Sequence, residues 1–289
     1  AETVIRIQSV LGNSTDEVRM VESFAADVAD LTGGSVKIEV LPAGAVVGPR
    51  DIIDAVDAGL VEGGFAWTHY WGGKHPAANL FGAPIAGAGV GLDALAFLSW
   101  FQYGGGKELY DRLWDEMGVN VKGFMLQPVG PEALGWFPEP IASMDDFRKL
   151  RFRAPPGMVG AAYNDIGVAA VAMGGGDILP ALEKGAIDAT EFSQPAIDQR
   201  LGLHKIAKYN YFPGWHQQAT VFELLVNGDA WAKMSERQQT VVETACRASL
   251  TNSFAEGEAS QFPVMAKAEE NGVKIRYWSP EMLDTFSTT

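Results

Sequence analysis

The chain carries one cysteine, Cys246, which rules out a disulfide framework and a thiolate metal cluster. Cys246 sits in an amphipathic helical stretch beside Ala245 and Ala248, the setting of a packed core thiol rather than a nucleophile. No uninterrupted apolar run reaches the ~18 residues a membrane-crossing helix needs. Basic residues are scarce, 22 against 36 acidic ones for a net charge of -14, so neither nucleic acid nor an anionic membrane surface is a fitting partner. An anionic small molecule would have to be caught by a local cation. Catalytic signatures are missing as well. There is no Gly-x-Ser-x-Gly elbow, no His-Glu-x-x-His and no Cys-x-x-Cys, and Gly104-Gly105-Gly106-Lys107 lacks the upstream glycine and the following hydroxyl of a P-loop. Gly87-Ala88-Gly89-Val90-Gly91 misses the dinucleotide spacing, and the four histidines, His69 and His75 among them, form no zinc pair.

What is present is enough apolar residue, 47% of 289, to bury a large core, shared more naturally between two domains than held in one. The chain opens Ala1-Glu2-Thr3 without an initiator methionine, as expected of a mature, exported periplasmic protein whose signal peptide has been removed. Helix and strand alternate. Val4 to Ser9 reads as a strand, Asp16 to Leu31 as a helix ended by Gly33-Gly34, Val36 to Leu41 as a strand, Arg50 to Ala58 as a short helix, and Gly64 to Trp67 as a third strand. The Gly82 to Gly91 segment reads as an irregular loop, Leu92 to Met117 as one helix, and Val119 to Gln127 as a strand. Ser235, with Gln238 at the capping-box position, starts a helix running to about Asn271 that Pro263 is expected to kink or break. The fold class is α/β. Residues 1–127 with 218–250 form one domain and 128–217 the other, with part of 251–289 packing across both, hinge strands between them and a long bracing helix.

The stretch from Phe147 to Phe192 is the most informative. A strand with Arg151 and Arg153 is followed by Pro155-Pro156-Gly157, a helix, a strand, a helix and a last strand ending at Glu191. It places an arginine and a carboxylate at the ends of neighbouring strands, where open α/β sheets bind ligands. Arg151 and Arg153 share a strand face, with Phe152 opposite.

Five segments then carry a resemblance: Tyr70-Trp71-Gly72-Gly73-Lys74-His75-Pro76-Ala77, Gly135-Trp136-Phe137, Asp145 through Arg153, Gly185-Ala186-Ile187-Asp188-Ala189-Thr190-Glu191, and Pro213-Gly214-Trp215-His216. In order and spacing they resemble the solute receptors of tripartite ATP-independent periplasmic (TRAP) transporters, in the branch that binds α-keto acids and related monocarboxylates. The resemblance implies a two-domain periplasmic binding protein with mixed sheets that delivers a small carboxylate to TRAP membrane permease subunits, with no organic cofactor. It assigns Arg153 a bidentate pair with the ligand carboxylate, a role that suits a planar guanidinium. It assigns Glu191, the backbone carbonyl of residue 192 and a third side chain to a bridging cation. Phe192 stands where tryptophan is usual, and Glu132 where a glutamine is expected. Two carboxylates suit calcium better than sodium; alternatively Glu132 bonds a hydroxyl or amine of the ligand and no metal enters. Tyr70, Trp71 and Trp215 are expected to line the rest of the pocket. Two further readings stay open, a receptor for an ATP-driven importer and an α/β enzyme using Glu132 and Glu191 as acid and base. Relatives in this branch carry extra C-terminal helices that swap in a dimer, and a chain ending at Thr289 is expected to be a monomer or weak dimer.

Overall fold

The computed structural model describes residues 2–83 and 92–288; the glycine-rich segment at 84–91, with Gly87 to Gly91, lies outside them. The first half of the chain forms β1 (Thr3–Ser9), α1 (Asp16–Leu31), β2 (Val36–Leu41), α2 (Ile52–Asp57), β3 (Gly63–Trp67), α3 (Ala78–Gly82), α4 (Ala94–Tyr103), α5 (Gly106–Met117), β4 (Val121–Val129) and β5 (Gly135–Phe137). The second half forms α6 (Met144–Arg148), β6 (Arg151–Ala154), α7 (Met158–Asp165), β7 (Ala169–Ala172), α8 (Gly175–Glu183), β8 (Ala189–Thr190), α9 (Pro195–Arg200), β9 (Tyr209–Phe212), β10 (Thr220–Asn227), α10 (Gly228–Ala232), α11 (Glu236–Ala266), β11 (Lys274–Tyr277) and α12 (Pro280–Ser287). These elements divide into two compact units. Unit 1 comprises Ala1–Gly82, Ala96–Val129 and Val221–Gly257; unit 2 comprises Ala83–Leu95, Gly130–Thr220 and Glu258–Thr289.

Unit 1 is built on a five-stranded sheet in the order β2-β1-β3-β10-β4. β1 lies parallel to β2 and β3, whereas β10 runs antiparallel to β3. α1 begins where the Thr15 hydroxyl accepts the Val18 amide, satisfying an N–H that the helix cannot. It turns Val18, Met20, Val21, Phe24 and Val28 inward at helical spacing. β3 is buried at every position, and glycine is required at Gly64, because a Cβ there would lie 2.5 Å from Ile52 Cγ2.

Unit 2 has a six-stranded sheet, β11-β9-β5-β8-β6-β7, with β6 parallel to β7 and β8, and β5 antiparallel to β8 and β9. Its core is aromatic: Phe137, Phe147, Phe152, Tyr163, Trp215, Trp278 and Phe286 pack together, Trp215 stacked on Phe286 with centroids 4.8 Å apart.

The structure differs from the sequence reading at two elements, α4–α5 and the end of β4, and leaves α11 unbroken at Pro263. The single helix over Leu92 to Met117 is two, α4 and α5, interrupted at Gly104-Gly105, where Gly105 adopts φ +89 and the helical hydrogen-bond ladder cannot continue. Pro263 lies inside α11 without ending it. Pro128 falls within β4, tolerated because β4 is an edge strand and a missing N–H there breaks no interior ladder.

Candidate functional site

The register of two parallel strands in unit 2 sets the site. β6 pairs with β8 so that Arg153 is opposite Thr190, and Glu191 follows with its amide donating to the Arg153 carbonyl at 3.2 Å. Both side chains therefore emerge at the same end of the sheet. Arg151 and Arg153 leave the same strand face but meet different surroundings. Arg151 is exposed and forks onto Asp188 (3.0 and 2.7 Å), whereas Arg153 is 1% exposed. Arg153 donates Nε and Nη2 to the Met173 carbonyl (3.0 and 2.8 Å) and Nη1 to the Glu191 carbonyl (3.1 Å) and Glu191 Oε1. That engages four of the five N–H groups a guanidinium carries and leaves one on Nη2. The Phe192 ring lies 5.1 Å from the guanidinium carbon.

Glu132 precedes β5 rather than lying on it, and joins the site through the returning segment at 214–217. Its amide bonds the Gln217 carbonyl (3.3 Å) and its Oε1 accepts Gln217 Nε2 (2.7 Å). A Cβ at Gly214 would collide with the Glu132 carbonyl, so this approach needs glycine. His216 sits between the two acids, with Nε2 3.3 Å from Glu191 Oε2 and 3.6 Å from Glu132 Oε2. Glu132, Glu191 and His216 each bring one potential ligand atom, all within 4.8 Å of one another.

Burying these groups has electrostatic consequences. Burial and the neighbouring Glu191 charge raise the Glu132 carboxyl, against the pull of His216 and Arg153, to about 7. Burial alone would lower the imidazolium of His216, but hydrogen bonds and charge from both glutamates outweigh it and raise it to about 9. At neutral pH His216 is thus held cationic, while Glu132 is part-protonated.

The polar atoms around the cluster are unusually short of partners. Glu132 Oε2, Tyr163 OH, Ser193 Oγ, Trp215 Nε1, His216 Nδ1 and Gln217 Oε1 are buried without a hydrogen bond. Tyr163, Trp215 and His216 are mutual ring neighbours at 5.5–6.2 Å. An unpaired buried polar atom costs roughly 1–3 kcal/mol, so each of these atoms would gain from a polar partner.

The structure gathers Arg153, Glu191, Phe192, Glu132 and Trp215 in unit 2. Tyr70 and Trp71 belong to unit 1. Trp71 is 1% exposed and donates its indole N–H to Glu223 Oε1 (2.7 Å) within unit 1. Tyr70 packs against Trp67, His69 and Trp71. His216, Tyr163 and Gln217 were not expected. Their partners lie far off in the chain, and no local spacing marks them.

Two α/β units, one holding a buried arginine against two buried acids and a histidine, define a small-solute receptor. The chain belongs to the bacterial extracellular solute-binding protein family 7 (DctP), whose sequence model matches residues 7–289. Its members are transporter receptors, not enzymes. A monocarboxylate 2-oxoacid-binding periplasmic protein of Nostoc sp. is 32% identical over 262 residues, covering 91% of this chain and 70% of that protein. A TRAP solute-binding protein of Bordetella bronchiseptica, solved with copurified calcium and picolinate, shares 28% identity and a TM-score of 0.93 over 99% of this chain and 84% of its own. Another from Pseudoalteromonas atlantica, solved with sodium and pyruvate, shares 25% identity and a TM-score of 0.91 over 100% of this chain and 86% of its own. The fold is that of the TRAP receptors. No described helix is long and apolar enough to cross a membrane.

Proposed function

We propose that this protein is a periplasmic receptor that binds a small 2-oxo or 2-hydroxy monocarboxylate together with a cation and delivers it to a TRAP permease. The observation that carries this reading is the buried cluster in which Arg153 meets Glu191 and His216 Nε2 lies 3.3 Å from Glu191 Oε2 and 3.6 Å from Glu132 Oε2. In it the solute carboxylate takes the Nη1–Nη2 edge of Arg153, with Glu191 Oε1 yielding Nη1. The donor set fits a hard cation. Among the described residues, Gln217 Oε1 is buried without a donor and Glu132 Oε2 has only the His216 imidazole at 3.6 Å, on residues already in contact. With Glu191 and the Phe192 carbonyl they make an oxygen-rich, doubly acidic set that favours calcium over sodium. Glu132, Glu191, Gln217 and the Phe192 carbonyl would hold the cation, which would supply positive charge to balance the bound carboxylate. His216 keeps positive charge against Glu191 beside it. Relatives named for 2-oxoacids, picolinate and pyruvate support the substrate class.

Calorimetry with pyruvate tests this. Arg153→Lys keeps the charge beside Glu191 but loses the fork, and the affinity should fall about 10- to 100-fold, the worth of one charge-assisted hydrogen bond. An unchanged dissociation constant overturns the assignment. In a chelator-dialysed sample the affinity should drop and calcium should restore it; indifference to chelator removes the cation from the reading.

A further inference from the structure

Asp198 is the strongest unexplained group in unit 2. It is fully buried in α9, and its bonds are to two neutral donors, Trp136 Nε1 at 2.7 Å on Oδ2 and the Ser193 backbone amide at 2.9 Å on Oδ1. Burial raises its carboxyl well above the usual range, Trp136 only partly opposes this, and the charges of Glu132 and Glu191 are felt there too. A buried acid with no basic partner is expensive to keep, more so beside two other acids.

The Ser193 amide explains the expense. Its N–H and the Phe192 C=O belong to one peptide group, and among the described residues only Phe212–Pro213 is cis, so this group is trans. In a planar trans peptide the N–H and C=O point in opposite directions. Anchoring the Ser193 N–H on Asp198 therefore turns the Phe192 carbonyl away from Asp198, and swinging it elsewhere means breaking a buried hydrogen bond to a carboxyl oxygen. Trp136 Nε1 takes the other oxygen of the same carboxyl, so the Ser193 amide has Oδ1 to itself.

We propose that Asp198 is a positioning residue for the cation: by holding the Ser193 amide it locks the Phe192 carbonyl as a cation ligand beside Glu132 and Glu191. The inference rests on the cation-assisted receptor reading above. Outer partners of this kind typically change metal affinity by 10- to 100-fold. Asp198 touches neither solute nor cation. It acts through one peptide plane.

The test uses the whole protein with phenylalanine labelled at the carbonyl carbon, titrated with calcium in the presence of pyruvate. In the wild type the Phe192 carbonyl resonance and the Ser193 amide resonance should move together, because they report one peptide group. Asp198→Asn offers one acceptor where two donors need one, so the Phe192 shift should shrink and calcium affinity by calorimetry should fall about 10- to 100-fold. Trp136→Phe leaves the Ser193 bond in place and should keep the carbonyl shift and the calcium affinity while lowering the melting temperature. The inference is overturned by an Asp198→Asn protein with wild-type affinity and carbonyl shift, or by a Trp136→Phe protein that loses calcium as severely as Asp198→Asn, since the loss would then be a general packing effect. Should Asp198→Asn not fold, the wild type decides alone: a calcium response that leaves the Phe192 carbonyl unmoved sinks the inference. Pyruvate binding indifferent to calcium removes the cation reading, and the inference with it; an absence of pyruvate binding altogether removes the receptor's proposed substrate class.

Discussion

Single side chains in this protein are decided by what surrounds them. Arg151 and Arg153 are two residues apart on one strand face, yet one lies in solvent on Asp188 and the other is sealed among Met173, Glu191 and Phe192. Pattern and family resemblance together single out Arg153 and Glu191, because strand ends in an α/β sheet are legible from alternation. His216 was not legible. A lone histidine after a tryptophan has no local spacing, and its meaning comes from two acids that approach through folding. Glu223 in unit 1 is a further case. It is fully buried and accepts from Thr68 (2.7 Å), Trp71 (2.7 Å) and Tyr110, but burial outweighs these donors and raises its carboxyl from 4.5 to about 7. A carboxyl with a folded pKa above its unfolded one holds an extra proton only when folded. Its contribution to stability is therefore full below about 4.5 and is lost as pH climbs to about 7, by at most roughly 3 kcal/mol. Urea denaturation across that window should show a slope in the wild type that flattens in Glu223→Gln; parallel curves for the two proteins would count against the assignment.

Among elements, those with strong local signals matched the sequence reading, and those depending on neighbours departed from it. α1 begins and ends where its cap and its glycines indicate. α11 begins at the predicted box: the Ser235 amide donates to Gln238 Oε1 (2.9 Å) and the Ser235 hydroxyl accepts the Gln238 amide (3.3 Å). Ser235→Ala should cost about 1 kcal/mol in chemical denaturation and leave solute affinity unchanged, since the cap is exposed. The break between α4 and α5 was misread because apolar periodicity runs through Gly104-Gly105, and β4 was ended at Gln127 because a proline follows; the backbone at Gly105 and the edge position of β4 decide otherwise.

On the scale of the whole molecule, a receptor with net charge -14 presents an unfavourable field to the anion it is proposed to bind. The rate of pyruvate association, followed by stopped-flow tryptophan fluorescence, should therefore rise as salt shortens the Debye length from about 30 Å to about 8 Å. A rate that falls with salt would mean the approach to the site is locally cationic enough to override the total. Composition, helix caps, strand alternation and the strand-end arginine and acid were determined by sequence alone, because each depends on residues within a few positions of one another. Tertiary structure alone decided that His216 joins Glu132 and Glu191 in one cluster, that Trp71 props Glu223, and that Asp198 grips the peptide after Phe192. The partners in those contacts are brought together only by packing, and their protonation and orientation are set by a burial that no local pattern records.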